Sequence, residues 1–180
     1  MNRQKKGFTT IELIVTISIL VIITTSIFLK YPTFRQNISL KRTAQEIALT
    51  IRQAQVYGLS TKEFQPGTSI FSGYGVHFES GFDSFILFAD TNNNKTYDSA
   101  IEDVQMFQIQ TGDKIADLCG NGTCGVKKMD IVFYLTNPPV SITADSVPLP
   151  LGSDVGVVII SLQGQTKTIN VLPSGQIAVK

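Results

Sequence analysis

The chain has no tryptophan, one histidine (His77) and two cysteines (Cys119 and Cys124) among its 180 residues. These shortages exclude a good deal. One His and two Cys leave too few ligands for a four-coordinate zinc module. Charge nearly cancels, with 15 basic residues against 14 acidic ones, a formal net charge of +1. The balance is uneven, because Arg3, Lys5 and Lys6 fall in the first seven residues with no acid among them. Without that segment, 12 basic side chains face 14 acidic ones and the net charge is −2. No strong field for nucleic acid or acidic substrates survives. Repeats, low-complexity tracts and interdomain linkers are also missing. A chain of this length suits one domain with a real core plus an N-terminal extension.

A catalytic set is missing too. His77 sits in an alternating strand pattern, where a lone histidine reads as a strand-face residue. No Ser or Cys nucleophile pairs with it, and no acidic pair stands out. The Gly-rich stretch from Gly120 to Gly125 lacks the Lys-Ser/Thr and helix start of a phosphate loop. The sequence gives no reason to expect an enzyme. What is abundant is Ile, Val, Thr, Phe and Gly, a composition that suits a β-rich globular part.

The longest apolar run is Phe8 to Leu29, FTTIELIVTISILVIITTSIFL. As a helix it would be about 33 Å long, matching a hydrocarbon core of roughly 30 Å. Lys5-Lys6 and Lys30-Tyr31 flank it as interfacial anchors would. A secretory signal peptide would need a shorter apolar core and a small-residue cleavage site, for which only Thr25 and Ser26 offer a faint match. An ordinary signal anchor explains everything except Glu12, a carboxylate that is costly inside an apolar helix without a partner. Basic residues lie on both sides, Arg3, Lys5 and Lys6 before it and Lys30, Arg35, Lys41 and Arg42 after it. The positive-inside rule therefore sets no orientation.

The string K-K-G-F-T-T-I-E-L accounts for both ends together. It resembles the processing motif of type IV prepilins and pseudopilins. The resemblance implies cleavage between Gly7 and Phe8 by a prepilin peptidase, N-methylation of Phe8, and Glu12 as the fifth residue of the mature chain. It also implies an inner-membrane, single-pass subunit with its head outside the cytoplasm, later part of a periplasmic or surface filament. The partners it implies are the prepilin peptidase, other pilin or pseudopilin subunits, an inner-membrane assembly platform and, before assembly, the lipid bilayer. The new α-ammonium of one subunit and Glu12 of a neighbour would be intolerable alone in a low-dielectric bundle, so their pairing would set register. One departure is that many pilins carry a proline inside this helix, whereas the first here is Pro32. Thr16, Ser18, Thr24, Thr25 and Ser26 could instead permit close packing or bending.

Beyond Pro32 the pattern turns amphipathic. Leu40, Ala44, Ile47, Ile51 and Ala54 recur at spacings of four, three, four and three, one apolar stripe that predicts packing on the protein's own sheet. The helix is expected to reach about Tyr57 and stop near Gly58. From about Ser69 short strands follow, clearest at 74–79, 84–89, 104–110, 130–135, 155–162, 167–171 and 176–179, the last two as a terminal hairpin. Pro138-Pro139 and Pro148-Leu149-Pro150 mark loops or edges. The expected organisation is a leader over 1–7, a membrane helix over 8–29, its amphipathic continuation over 30–58 and a β-rich head over 59–180. The fold class is α+β, a long helix on an antiparallel head of two sheets. The segments G-Y-G-V-H-F, F-D-S-F-I-L-F-A-D-T-N-N-N-K-T-Y-D and I-N-V-L-P-S-G-Q-I-A-V resemble the GspH/FimT-like group of minor pseudopilins and minor pilins. That resemblance implies a low-copy filament subunit. A ligand-binding pilin, either an adhesin or a DNA-uptake pilin, and a major pilin are the alternatives; Lys127-Lys128 is thin support for DNA.

Two features of the head carry chemistry. Cys119 and Cys124 close a C-G-N-G-T-C segment, which in an exported protein reads as a disulfide and in a cytosolic one as a metal or redox pair. The second reading has no further Cys to complete it. Asp90, Asn92, Asn94 and Asp98 place oxygen side chains at alternating positions, as a Ca²⁺ loop does. The loop pattern also wants Gly and Glu where Lys95 and Ile101 stand, with Glu102 and Asp103 just beyond. A polar strand-to-strand turn is the other reading.

Overall fold

The N-terminal helix starts where its own sequence caps it. Thr9 Oγ1 accepts a hydrogen bond from the Glu12 amide at 3.3 Å, so Thr9 acts as an N-cap, and Glu12 puts a carboxylate in the first turn. From there α1 runs over Thr10–Leu59. The computed structural model describes residues 7–60, 63–64, 73–98, 100–109, 112–135, 140–150, 152–160 and 164–180. Arg3, Lys5, Lys6, Pro138 and Pro139, and the side chains of Lys30 and Pro32, lie outside the described residues.

The chain divides into two compact units, Met1–Gln36 and Asn37–Lys180. In the first, Thr10–Phe28 is long and apolar enough to cross a membrane, and none of it is buried. Five of its hydroxyls, from Thr16 to Ser26, are satisfied within the helix. Thr16 donates to the Leu13 carbonyl at 2.9 Å, Ser18 to Ile14 at 2.8 Å and Ser26 to Ile22 at 3.0 Å. Thr24 and Thr25 bond back to Leu20 and Val21 in the same way. These five hydroxyls need no water, as suits a helix in hydrocarbon.

The second unit is α+β with two antiparallel sheets. The first sheet contains β1 (Gly73–Glu79), β2 (Ser84–Asp90), β3 (Asp103–Gln108), β6 (Lys128–Phe133), β7 (Val140–Ala144) and β8 (Val147–Pro148), in the order β3-β2-β1-β6-β7-β8. The second contains β4 (Lys114–Gly120), β5 (Thr123–Cys124), β9 (Val155–Ile160), β10 (Thr166–Val171) and β11 (Ile177–Val179), in the order β11-β10-β9-β4-β5. The core joins the α1 stripe with one face of each sheet. Ala44, Ile47, Ile51 and Ala54 share it with Val76, Phe78 and Ile131 from the first sheet and Ile115, Val157 and Ile169 from the second, all fully buried. The β1–β2 turn stitches the sheets together: Gly81 donates to the Ile115 carbonyl at 2.7 Å, and Ile115 donates to that of Phe82 at 2.9 Å.

Several boundaries differ from the sequence reading. β4 and β7 were not visible in it, because V-S-I-T-A is short and a register shift between Ile115 and Asp117 breaks the alternation of β4. β6 starts at Lys128 and ends at Phe133, leaving Tyr134 outside the strand. The stop expected near Gly58 agrees with α1 ending at Leu59, but Gly58 itself lies inside the helix. A Cβ there would run into the backbone carbonyl of Phe133, so the glycine permits close approach of α1 to β6.

Candidate functional site

The described residues of the N-terminal motif, from Gly7 on, stand in the open. Phe8 is exposed, and a Cβ added at Gly7 would meet nothing within 4 Å. Glu12 sits in the first turn of α1, on the apolar stretch, with its backbone amide held by Thr9. The side chain is exposed, and the surrounding Ile11, Leu13 and Ile14 are exposed too. A carboxylate and an uncovered apolar surface thus lie together within five residues of Phe8.

In the head, the segment between β2 and β3 folds back over the outer face of the first sheet. Strand alternation puts His77 and Ile86, which are paired across β1 and β2, on that face with Phe88. The Tyr97 ring lies 4.8 Å from His77 and 5.5 Å from Phe88, and Thr143 on β7 donates to the Lys95 carbonyl at 3.0 Å. Burial, aided by a hydrogen bond to Asp103, pushes the Tyr97 phenol up to about 12.

The oxygen side chains of this segment satisfy one another. Asp90 is buried and accepts from the amides of Asn94 at 3.1 Å and Lys95 at 2.9 Å, and from the Tyr134 hydroxyl. Burial and that bond to Asp90 raise the Tyr134 phenol well above its ordinary value. Asn92 and Asn94 both donate to Asp98 Oδ2, at 2.6 and 2.7 Å. Glu102, also buried, accepts from the Thr91 amide at 3.0 Å and the Asp98 amide at 3.2 Å. Asp90, Asn92, Asn94 and Asp98 therefore converge in one closed loop. Lys95 takes φ of 69°, the left-handed conformation that a glycine serves at that slot in a Ca²⁺ loop. The loop is closed by its own hydrogen bonds.

Sequence reasoning missed two participants and placed a third, Glu102, just beyond the loop pattern. Tyr134 comes from beyond β6, and Asp130 holds His77. The last contact is a cross-strand pair: His77 and Asp130 are register partners, with Nδ1 2.6 Å from Oδ1. His77 Nε2 lies 3.5 Å from Glu79, which Lys128 contacts at 2.6 Å. Alternation of V-H-F on β1 and M-D-I on β6 was the only available signal, and it needed the strand pairing to become informative.

Cys119 and Cys124 form a disulfide. They are directly opposed on β4 and β5, joined by Asn121 and Gly122 at φ 50° and 78°. Both central residues at positive φ make this a two-residue hairpin of type I′. Asp117 brings a carboxylate oxygen within 4.8 Å of both sulfurs, but with these bonded to each other no thiolate remains to bind metal. Comparisons with family models, with curated proteins and with solved structures gave no match.

Proposed function

We propose that this protein is a structural subunit of a type IV pilus-like or type II secretion filament, a minor pilin or pseudopilin inserted in the membrane by Thr10–Phe28. The observation that carries this reading is the exposed Glu12, placed at the capped start of a helix whose apolar surface is uncovered on every side. A lone carboxylate there is costly in hydrocarbon, and a neighbouring subunit's α-ammonium would offset that cost as the helices bundle. Cleavage between Gly7 and Phe8 would create that ammonium. The head would then be displayed on the filament, with no catalytic role.

The mature N-terminus measured by mass spectrometry, after co-expression with a prepilin peptidase, tests this directly. We expect a product beginning at N-methylated Phe8 from the wild-type chain and none from Gly7→Ala. Because a Cβ at Gly7 meets nothing, loss of the product reads on the protease and not on folding. A wild-type chain that stays intact beside an active peptidase would leave an ordinary membrane anchor.

A further inference from the structure

The cross-strand pair of His77 and Asp130 belongs to a larger arrangement on the outer face of the first sheet. Residues two apart on a strand share a face, so Glu79 joins His77 from β1 and Lys128 joins Asp130 from β6. Glu79 and Lys128 are register partners in their turn. Ser84 on β2 stands opposite Glu79, one step past the Phe78–Phe85 pair. His77 and Asp130 are both buried, and filament assembly makes no use of them.

The histidine tautomer follows from its neighbour. A carboxylate only accepts, so Nδ1 of His77, 2.6 Å from Asp130 Oδ1, carries the proton and Nε2 keeps its lone pair. Nε2 lies 3.5 Å from Glu79 Oε1, beyond the usual range of an N–H···O bond. Two acceptors thus face each other with no hydrogen bond between them. Both line a cavity of about 210 Å³, whose other walls include Ser84 and the apolar side chains of Phe82, Ile86 and Met106. The Tyr97 ring packs 4.8 Å from the imidazole and steadies its plane. Charge is also unbalanced, because Asp130 and Glu79 share the ammonium of Lys128, which touches Glu79 at 2.6 Å.

We propose that His77 Nε2 and the Glu79 carboxylate bind a divalent cation of the zinc type, in an open site completed by water. Metal–ligand lengths of about 2.0–2.2 Å at a tetrahedral angle put two ligand atoms roughly 3.3–3.5 Å apart. The Nε2–Oε1 separation meets that requirement. Imidazole with carboxylate suits Zn²⁺, whereas Ca²⁺ and Mg²⁺ take oxygen donors. Asp130 is the carboxylate that such sites place behind a metal-bound histidine, where it fixes the tautomer and makes Nε2 a stronger donor. The cavity leaves room for water, or the Ser84 hydroxyl, at the remaining positions. The site is therefore distinct from the closed four-ligand module that the scarcity of Cys and His excludes. Lys128 is the cation's competitor, and its 59% exposure lets it swing away from Glu79.

The test uses the full chain in detergent micelles, prepared without a histidine tag, stripped of metal with a chelator and titrated with Zn²⁺ by calorimetry. The wild type should take up one equivalent, and His77→Gln and Glu79→Gln should each weaken binding about tenfold or more. Glu79 is only partly buried, so its variant keeps the fold and a loss there reads on the site. Lys128→Gln, at an exposed side chain, should tighten binding by removing the competing ammonium. In ¹⁵N NMR of the wild type, Zn²⁺ should move the Nε2 resonance of the single histidine and leave Nδ1 protonated. A wild type with no saturable binding would overturn the proposal, as would affinity unchanged in His77→Gln or Glu79→Gln. So would a Lys128→Gln chain that binds no tighter, or coordination through Nδ1. None of these outcomes bears on cleavage after Gly7.

Discussion

The two halves of α1 are helical for the same backbone reasons, yet their side chains meet opposite fates. Over Thr10–Phe28 apolar residues recur without a polar face, and none of that stretch is buried. Over Leu40–Ala54 all but the exposed Leu49 keep to one stripe, and Ala44, Ile47, Ile51 and Ala54 are fully buried. The second half carries no more apolar residues than the first. Its apolar residues are phased at the helical period and therefore find one sheet-covered face. A helix apolar all round cannot be buried by one neighbour, so its solvent must come from outside the chain, as lipid or as other helices.

The largest effect should separate the halves outright. Ile51→Ala removes fully buried methyl groups between α1 and the sheets and is expected to destabilise the head by about 2–5 kcal/mol. Ile22→Ala, on an exposed position of the apolar half, should leave the head's unfolding midpoint in detergent within about 0.5 kcal/mol of wild type. Equal losses at the two positions, followed by denaturant titration, would mean that the apolar half packs against something in its own chain.

Gly58→Ala sharpens the comparison at the far end of the same helix. The added methyl would press on the Phe133 carbonyl, and α1 would have to lift from β6, at about 1–3 kcal/mol. Propensity alone predicts the reverse sign, because Ala favours a helix interior by roughly 1 kcal/mol over Gly. The direction of the thermal shift therefore decides whether that glycine serves close packing or is merely tolerated.

Gly58 also shows where the sequence stops being legible. A glycine near the end of an apolar stripe looks like a C-cap, and only the position of β6 gives it another role. The stripe itself, the α+β class, the two sheets and the terminal hairpin β10–β11 were all readable from periodicity and turn residues. β4 escaped because a register shift at Ile115–Asp117 breaks its alternation, and because Asp117 turns inward to accept from the amides of Leu118 and Gly125. The N-G pair at 121–122 is a strong hairpin signal, and between two cysteines it was read only as a disulfide loop. In the 90–102 segment the oxygen residues were legible as a set. Glu102 was seen only as lying just beyond the pattern and Tyr134 not at all, since spacing along the chain does not say which group folds back.

The smallest expected effect concerns charge on the outer face of the first sheet. Hydrogen bonding from Lys128 holds the Glu79 carboxyl below its ordinary value, with lesser help from His77, and Glu79 in turn raises the Lys128 ammonium. A carboxyl with a lowered folded value contributes stability that is present above its unfolded value and lost as pH falls through the folded one. For Glu79 that loss begins below about pH 4.5. The raised ammonium works in the opposite sense, its contribution being complete below pH 10.5 and lost as pH rises further. Lys128 is 59% exposed, so solvent and salt screen the pair and hold its worth to about 1 kcal/mol or less. Glu79→Gln should therefore cost less than Gly58→Ala at pH 7, and the difference from wild type should vanish in strong acid. A penalty that persists there would point to packing of Glu79 against His77, because an acid-independent loss cannot come from its charge.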